Sequence, residues 1–310
     1  MSAAVEVEGL VKRYGALTAV DGIRFEVAPG SVFAFLGPNG AGKTTTVEVL
    51  EGLRRATSGT VRVLGLDPWT AGEEVHRRIG VIPQEFRFFE KITAREAVEY
   101  YRALFGTRVD PSELLSRVEL LDKAEARFDT LSGGQKQKLG LALALTNEPE
   151  ICFLDEPTTG LDPQARRAIW SVIRSLRRER RTVFLTTHYL EEAQLLADHV
   201  AIIHHGRIIA AGTPEEIIRA HGRPPRLRVR APSALAERLH EELGVSARAE
   251  GESVVVDLAT PRDALRVLSA IDRSGLPWDT VATENDTLED VFVRLVGRMD
   301  DGALPAEAGT

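Results

Sequence analysis

The chain has 310 residues, of which 43% are hydrophobic and 27% charged, a composition that predicts about two packed globular domains. Its formal net charge of −7 gives no overall attraction for nucleic acid, so no nucleic-acid partner is expected. The longest apolar run, Leu139 to Leu145, is too short to cross a bilayer, and Glu6 and Glu8 are unlike the start of a signal peptide. We therefore expect a cytoplasmic chain, with its single cysteine, Cys152, as a small core residue.

The first elements along the chain lead into a glycine-rich loop. Short strands are predicted from Val5 to Leu10 and from Ile23 to Val27, followed by a hydrophobic strand from Val32 to Leu36. The run Gly37-Pro38-Asn39-Gly40-Ala41-Gly42-Lys43-Thr44 then fits the pattern GxxxxGK[ST], and a helix is predicted from Lys43 to Leu53. In such a loop the backbone curls around phosphate oxygens, the lysine supplies a cation and the threonine hydroxyl can hold Mg²⁺. The pattern therefore predicts a nucleoside triphosphate site.

A second anion-binding segment is predicted about ninety residues later. Helical spacing dominates from about residue 85 to residue 145, with helices expected from Thr93 to Gly106 and from Pro111 to Leu121. The pentad Leu131-Ser132-Gly133-Gly134-Gln135 then precedes a helix predicted from Lys136 to Thr146. Free N–H groups and the positive end of that helix would face an anion. The sequence thus predicts two phosphate-binding segments, although one nucleotide needs only the first.

Two adjacent acids end the next predicted strand, which runs from Ile151 to Leu154. Asp155 can hold Mg²⁺ directly or through water, and Glu156 can polarise the water that attacks the γ-phosphorus. Further strands are predicted from Thr182 to Thr186 and from Val200 to His204, each between helical or turn segments. This alternation predicts an α/β fold with a largely parallel sheet.

The remainder of the chain is predicted to form a separate small domain. A proline-containing linker near residues 221–225 is followed by alternating strands and helices, which indicates an α+β domain over 223–299. Residues 300–310 are expected to be a disordered tail.

The order of these motifs resembles that of the ATP-binding-cassette (ABC) ATPases from residue 3 to about residue 220. The resemblance implies a P-loop NTPase cassette over residues 1–222, with a RecA-like mixed sheet core, an antiparallel β subdomain and a helical subdomain at about 85–145. It also implies that two chains, as a homodimer or an ABC heterodimer, enclose two ATP molecules with Mg²⁺. The pentad would then contact the nucleotide held by the partner chain.

Individual roles also follow from the resemblance. Tyr14 would stack on adenine, Gln84 would link Mg²⁺ and water to a membrane partner, His188 would contact the γ-phosphate, and Asp162 would lie at the dimer seam. The implied catalytic residues are Lys43, Gln84, Glu156 and His188, and the implied metal-binding residues are Thr44, Gln84 and Asp155. The implied nucleotide-binding residues are Tyr14, Gly37, Pro38, Asn39, Gly40, Ala41, Gly42, Lys43, Thr44, Thr45, Ser132, Gly133, Gly134, Gln135 and Asp162.

Two kinds of work for the ATP remain open. One is export through a separate integral membrane permease, with the chain bound peripherally at the cytoplasmic face of the cell membrane. The segment Thr287 to Phe292 favours export, because it is similar to the C-terminal extension of multidrug and antibiotic-resistance (daunorubicin-type) exporter ATPases. The exported molecule would be a drug, an antibiotic, a lipid or a polysaccharide. The alternative is a soluble mechanical ATPase acting on nucleic acid or the ribosome.

Overall fold

Residues 2–260 and 262–300 are described by a computed structural model, in which they form two units. The first unit comprises residues 2–214 and 298–300, and the second comprises residues 215–297. Apart from residue 300, the expected disordered tail at 300–310 lies outside the described residues.

The first unit alternates strands and helices for most of its length. Its strands are β1 (Val5–Tyr14), β2 (Leu17–Val27), β3 (Val32–Leu36), β4 (Ser58–Val63), β5 (Ile79–Ile82), β6 (Ile151–Asp155), β7 (Thr182–Thr187), β8 (His199–His204) and β9 (Arg207–Gly212). Its helices are α1 (Lys43–Leu50), α2 (Gly72–Arg78), α3 (Ala94–Phe105), α4 (Pro111–Arg117), α5 (Gly133–Ala144), α6 (Pro163–Arg178) and α7 (Leu190–Leu196).

A mixed sheet with the order β5-β6-β7-β3-β8-β9 forms the centre of the first unit, and only β9 is antiparallel among these described strands. Strands β3 and β6 are continuous apolar runs buried along their whole length, as expected for parallel strands covered on both faces. Cys152 is fully buried in β6, which confirms its expected place in the core. Because β3, β6 and β7 are parallel neighbours, the segments that follow them meet at one edge of the sheet.

An antiparallel sheet, β2-β1-β4, shares one hydrophobic core with this central sheet and α1. The expected first two strands were too short, since β1 continues to Tyr14 and β2 begins at Leu17. Register shifts along the β1–β2 pair allow the ladder to continue through polar residues, where Lys12 pairs with Val20 and Arg13 with Thr18.

Helices α3, α4, α5 and α6 contribute to a second core on the other side, together with residues of β5, β6 and β7. Helix α5 begins at Gly133, three residues before the predicted start. Ser132 and Gln135 explain this early start, because they form a reciprocal capping box at its first turn.

The second unit is an α+β arrangement that starts within α8 (Pro214–His221). Its strands are β10 (Arg226–Arg230), β11 (Ala247–Glu250), β12 (Ser253–Asp257) and β13 (Val281–Glu284), in the order β11-β12-β10-β13, and its helices include α9 (Ala234–Leu243), α10 (Asp263–Arg273) and most of α11 (Leu288–Asp300). Helices α9 and α10 share a hydrophobic core with the sheet.

The second unit begins eight residues before the boundary expected at residue 223. The contacts around Asp286 give a reason: it accepts a hydrogen bond from the Arg223 N–H at 2.8 Å and binds Arg294, which also donates to the His221 carbonyl oxygen. No helix within residues 2–260 and 262–300 combines the length and apolar character needed to cross a membrane.

Candidate functional site

The glycine-rich loop lies between β3 and α1 and exposes helical N–H groups. Gly40 and Gly42 adopt positive φ angles of 79° and 110°, which side chains disfavour, and the loop tip at Asn39 and Gly40 is exposed. The first intrahelical bond runs from the Thr46 N–H to the Gly42 carbonyl oxygen at 2.9 Å. The N–H groups of the first three residues of α1, which are Lys43, Thr44 and Thr45, therefore have no acceptor within the helix.

Lys43 places a buried cation inside this loop. Its side chain is 5% exposed, and its Nζ donates to the carbonyl oxygens of Gly37 at 2.8 Å and Pro38 at 3.3 Å. The same Nζ lies 3.4 Å from Oε1 of Glu156. A positive charge thus stands between the loop and the acid at the end of β6, where it can balance added phosphate charge.

Glu156 lies at the centre of the site. Its Oε2 is 3.0 Å from His188 Nδ1, and it accepts hydrogen bonds from Thr159 Oγ1 at 3.1 Å and Gln84 Nε2 at 3.3 Å. The sequence-predicted Lys43, Gln84, Glu156 and His188 therefore converge on one carboxylate. This brings together side chains that are up to 145 residues apart in the sequence.

The backbone of Glu156 is strained. Its φ angle of 49° lies in the left-handed region, which costs a non-glycine residue free energy. The Glu156 N–H is held by the Thr186 side chain, to whose Oγ1 it donates at 3.0 Å, and by the Thr186 carbonyl oxygen at 3.1 Å. Strand β7 thus holds the backbone of Glu156 in a conformation that the chain alone would avoid.

Asp155 is buried beside it at the end of β6. Burial raises the pKa of this carboxyl and the charge of Glu156 adds to the effect, while hydrogen bonds from Thr186 and Thr44 and the charge of Lys43 oppose it. Asp155 and the Thr44 hydroxyl, both predicted to bind Mg²⁺, are therefore neighbours. A cation bound to Asp155 would offset the unfavourable burial of its charge.

The pentad leads into the first turn of α5, with Ser132 at the N-cap. Ser132 Oγ accepts a hydrogen bond from the Gln135 N–H at 3.3 Å, and Gln135 Oε1 accepts one from the Ser132 N–H at 2.9 Å. Gly134 faces α6 so closely that an added Cβ would lie 2.8 Å from the Cβ of Ala165. A glycine is therefore required for these two helix starts to approach.

Asp162 caps α6 and lies next to the pentad. Its Oδ1 accepts hydrogen bonds from the N–H groups of Gln164 and Ala165, each at 2.9 Å. Asp162 lines an open groove of about 370 Å³ together with Ser132, Gly134 and Gln135. Two groups of predicted residues are thus apparent, one around Glu156 at the end of β6 and one, made of Ser132, Gly134, Gln135 and Asp162, in this groove.

Tyr14 makes its contacts elsewhere, at the end of β1. Its ring is partly exposed, with the Lys12 ammonium 5.0 Å and the Arg54 guanidinium 5.5 Å from the ring centroid. These cation–π contacts stabilise an aromatic ring that could also accept a flat ligand.

Sequence reasoning missed Thr159 and Thr186. Both donate a hydroxyl hydrogen bond to one of the two acids, Thr159 to Glu156 and Thr186 to Asp155. A threonine at the end of the predicted strand from Thr182 to Thr186 was the available signal for Thr186. For Thr159, nothing in the sequence distinguished it from an ordinary turn residue.

Comparisons with known proteins identify the family of this chain. A family model described as ABC transporter matches residues 20–159. The chain is 37% identical over 316 residues to the daunorubicin/doxorubicin resistance ATP-binding protein DrrA of Streptomyces peucetius, covering 98% of this chain and 96% of that protein. It is 40% identical over 308 residues to the Nod factor export ATP-binding protein I of Paraburkholderia xenovorans, covering 96% and 98%.

Solved structures are similar in fold to about two thirds or more of this chain. An ATP-binding subunit of an ABC transporter has a TM-score of 0.65 and 29% identity, covering 71% of this chain and 93% of that one. A dimeric ATP-binding cassette in a post-hydrolysis state, bound to ADP and Pi, has a TM-score of 0.61 and 25% identity, covering 67% and 98%. The chain therefore belongs to the ATP-binding proteins of the ABC transporter family, and it is an ATPase of that family.

Proposed function

We propose that this ATPase powers export through a separate membrane permease, as one half of a dimer that closes on two ATP molecules. The observation that carries the proposal is the extent of the similarity. The relatives named for drug resistance and Nod factor export match over 96% or more of this chain, so both units are included. The two names occur at similar identity, 37% and 40%, so the exported molecule is proposed only as a drug, an antibiotic or a lipid-like compound.

In this proposal the phosphate loop binds ATP and Glu156 activates the attacking water. The free N–H groups at the start of α1 and the Lys43 ammonium would hold the β- and γ-phosphates. Glu156 would accept a proton from water while His188, 3.0 Å from its Oε2, contacts the γ-phosphate. Gln84 would report the state of the site to the permease, since it already contacts Glu156 at 3.3 Å.

Mg²⁺ is proposed as the cofactor, held by the Thr44 hydroxyl and Asp155 with help from Gln84. The pairing of a hydroxyl with a buried carboxyl fits this hard cation, which prefers oxygen ligands and keeps several waters. When bound, it would neutralise charge on the phosphate oxygens.

The pentad and Asp162 are proposed to face the nucleotide of the partner chain. Ser132, Gly134, Gln135 and Asp162 line one groove, which would leave the start of α5 free to bind a phosphate brought by a second copy. A related cassette was solved as a dimer bound to ADP and Pi, which supports such a closed dimer. Tyr14 would stack on the adenine.

The variant Glu156→Gln tests the hydrolysis site. Glutamine keeps the size of the side chain but cannot act as a base, so turnover should fall by about 10²-fold or more while ATP binding persists. The bound ATP should then trap closed dimers, which size-exclusion chromatography would detect. The matched control is Glu74→Gln on the surface of α2, expected to keep wild-type turnover. Normal phosphate release by Glu156→Gln would refute the assigned role.

Copurification tests the export proposal. If a membrane protein is encoded beside this chain's gene, coexpression should allow a tag on one protein to recover both from detergent-solubilised membranes. The recovered complex should hydrolyse ATP, and in vesicles it should move a drug- or lipid-like compound. The mechanical alternative would be favoured if the chain copurified with none of the membrane proteins encoded nearby and instead sedimented with ribosomes or nucleic acid.

A further inference from the structure

A buried glutamate on α7 has no part in the site described above. Glu192 has 0% exposure, and its Oε1 accepts hydrogen bonds from Trp170 Nε1 at 2.7 Å and Thr158 Oγ1 at 3.0 Å. Burial raises the pKa of this carboxyl, while hydrogen bonds from the side chains of Thr187, Trp170 and Thr158 and the charge of Arg166 oppose the rise. Burying a carboxyl is unfavourable unless its contacts compensate.

One of these contacts leads to the hydrolysis site. Thr158 is 1% exposed and belongs to the turn that runs from Glu156 to Asp162. Within the turn, the Thr159 N–H donates to the Glu156 carbonyl oxygen and the Leu161 N–H to the Thr158 carbonyl oxygen, each at 3.2 Å. The Thr158 hydroxyl therefore attaches this tight turn to α7. Glu156, the proposed catalytic acid, lies at one end of the turn, and Asp162, proposed for the dimer seam, lies at the other.

Glu192, on the α7 side of this hydrogen bond, is close in sequence to His188. Helix α7 starts two residues after it, and the Glu192 N–H donates to the Tyr189 carbonyl oxygen at 3.1 Å. The Tyr189 ring contacts both the His188 ring, with centroids 4.3 Å apart, and the Arg166 guanidinium, which is 5.2 Å from the Tyr189 centroid. The segment that carries His188 is thus fixed to the start of α7.

The same two segments are consequently joined at two points. Glu156 and His188 join them in the site at 3.0 Å, and Thr158 and Glu192 join them in the core at 3.0 Å. The site contact must rearrange when water and phosphate enter. The core contact is buried and can keep the segments in place while that happens.

We propose that Glu192 is a positioning residue for ATP hydrolysis, which fixes the turn from Glu156 to Asp162 relative to His188 through its hydrogen bond with Thr158. This inference rests on the proposed roles of Glu156 and His188. A small displacement of reacting groups is costly, since about 1 Å can reduce a rate by roughly 10²-fold.

The bond from Trp170 provides a matched control. It ends on the same carboxyl oxygen, but it ties α6 to α7 and does not touch the turn. If Glu192 only stabilises the core, loss of the Trp170 or the Thr158 donor should lower the stability of the fold. Turnover should then fall only in proportion to the folded fraction. If it positions the turn, only loss of the Thr158 donor should slow turnover.

The experiment compares kcat, KM for ATP and melting temperature in full-length variants. Thr158→Val removes the hydroxyl at nearly constant shape and should lower kcat about tenfold with KM within about twofold. Thr158→Ser keeps the hydroxyl and should restore kcat to within about twofold of the wild type. Trp170→Phe should lower the melting temperature but keep kcat, when assayed well below that temperature.

Three results would overturn the positioning role. The first is an unchanged kcat in Thr158→Val. The second is an equal loss of kcat in Thr158→Val and Trp170→Phe that follows their melting temperatures. The third is a loss of kcat on Thr158→Val that is as large in a Glu192→Ala background as in the wild type. The positioning role predicts little further loss of kcat in that background. If Glu192→Ala does not fold, the Thr158 and Trp170 variants still decide between the two interpretations.

The variant Glu156→Gln, assayed alongside, separates this inference from the proposed function. Retained turnover in Glu156→Gln would show that the hydrolysis site itself is assigned wrongly. Loss of turnover in Glu156→Gln with normal kcat in Thr158→Val would leave the site intact and reject only the role of Glu192.

Discussion

At the scale of single residues, Glu51 links burial to pH. It follows α1 directly and is 5% exposed. Burial raises its pKa from 4.5 to about 8, and the negative charges of Asp155 and Glu48 add to this. Between pH 4.5 and about pH 8, Glu51 in the folded chain keeps a proton that it has released in the unfolded chain. The free energy of unfolding should therefore fall as pH rises through this window.

The variant Glu51→Gln should remove this dependence. Glutamine resembles the protonated acid, so the variant should match the wild type near pH 4.5 and become more stable than it by pH 8, by on the order of 4 kcal/mol. Urea unfolding at several pH values would measure the difference. Glu74→Gln, on the exposed surface of α2, should show no such trend. Parallel curves for Glu51→Gln and the wild type would contradict the expected proton uptake.

The residues of the site were predictable to the extent that short motifs mark them. Lys43, Glu156 and His188 stand in recognisable order, and the structure brings them together. Glu51 and Glu192 carry no such mark, because each is an ordinary helix-compatible acid in the sequence. What makes them unusual is burial against residues that are distant along the chain, and a single sequence does not record those neighbours.

At the scale of elements, the start of α5 depends on its approach to α6. A Cβ on Gly134 would lie 2.8 Å from Ala165 Cβ, whereas a Cβ on Gly133 would meet nothing within 4 Å. Gly134→Ala should therefore force the helices apart and lower the free energy of unfolding by about 1–3 kcal/mol. It should also reduce turnover, since the groove shared with Asp162 would widen. Urea unfolding and phosphate release measure the two effects.

Gly133→Ala is the matched control for that substitution. It adds the same methyl group one residue earlier on the same turn, without a steric conflict, so stability should change by no more than about 0.5 kcal/mol. Equal losses in the two variants would mean that flexibility of the turn, and not its packing against α6, is what the glycines provide.

Element types followed from local patterns more readily than element ends did. The buried strands β3 and β6 were predicted from their apolar runs, and α3 lies one residue inside its predicted limits at each end. By contrast, β11 has the polar sequence Ala-Arg-Ala-Glu and exists as a strand because it pairs with β12. Such an edge strand is specified by its neighbour more than by its own residues.

At the scale of the whole molecule, the chain should be divisible after residue 214. The structural match to a related ATP-binding subunit uses 71% of this chain and spans 93% of the related chain. The related subunit therefore folds with little beyond a cassette of that length. A variant ending at residue 214 should therefore fold and bind ATP. One ending at residue 222 would keep α8 but lose Asp286 and Arg294, which hold its end. It should expose Ile217 and aggregate more readily, as light scattering would show.

The same truncation can test whether the second unit strengthens the dimer, a hypothesis based on its presence after a complete cassette. In the Glu156→Gln background, hydrolysis cannot reopen the proposed dimer, so the protein concentration at which ATP produces dimers reflects dimer affinity alone. If residues after 214 contribute contacts between chains, their removal should shift that concentration upward by about tenfold for each 1.4 kcal/mol lost. ATP binding by each monomer should be unchanged, which nucleotide titration at low protein concentration would verify. Unchanged dimerisation and an unchanged wild-type ATPase rate after truncation would remove the basis for a dimer-stabilising role.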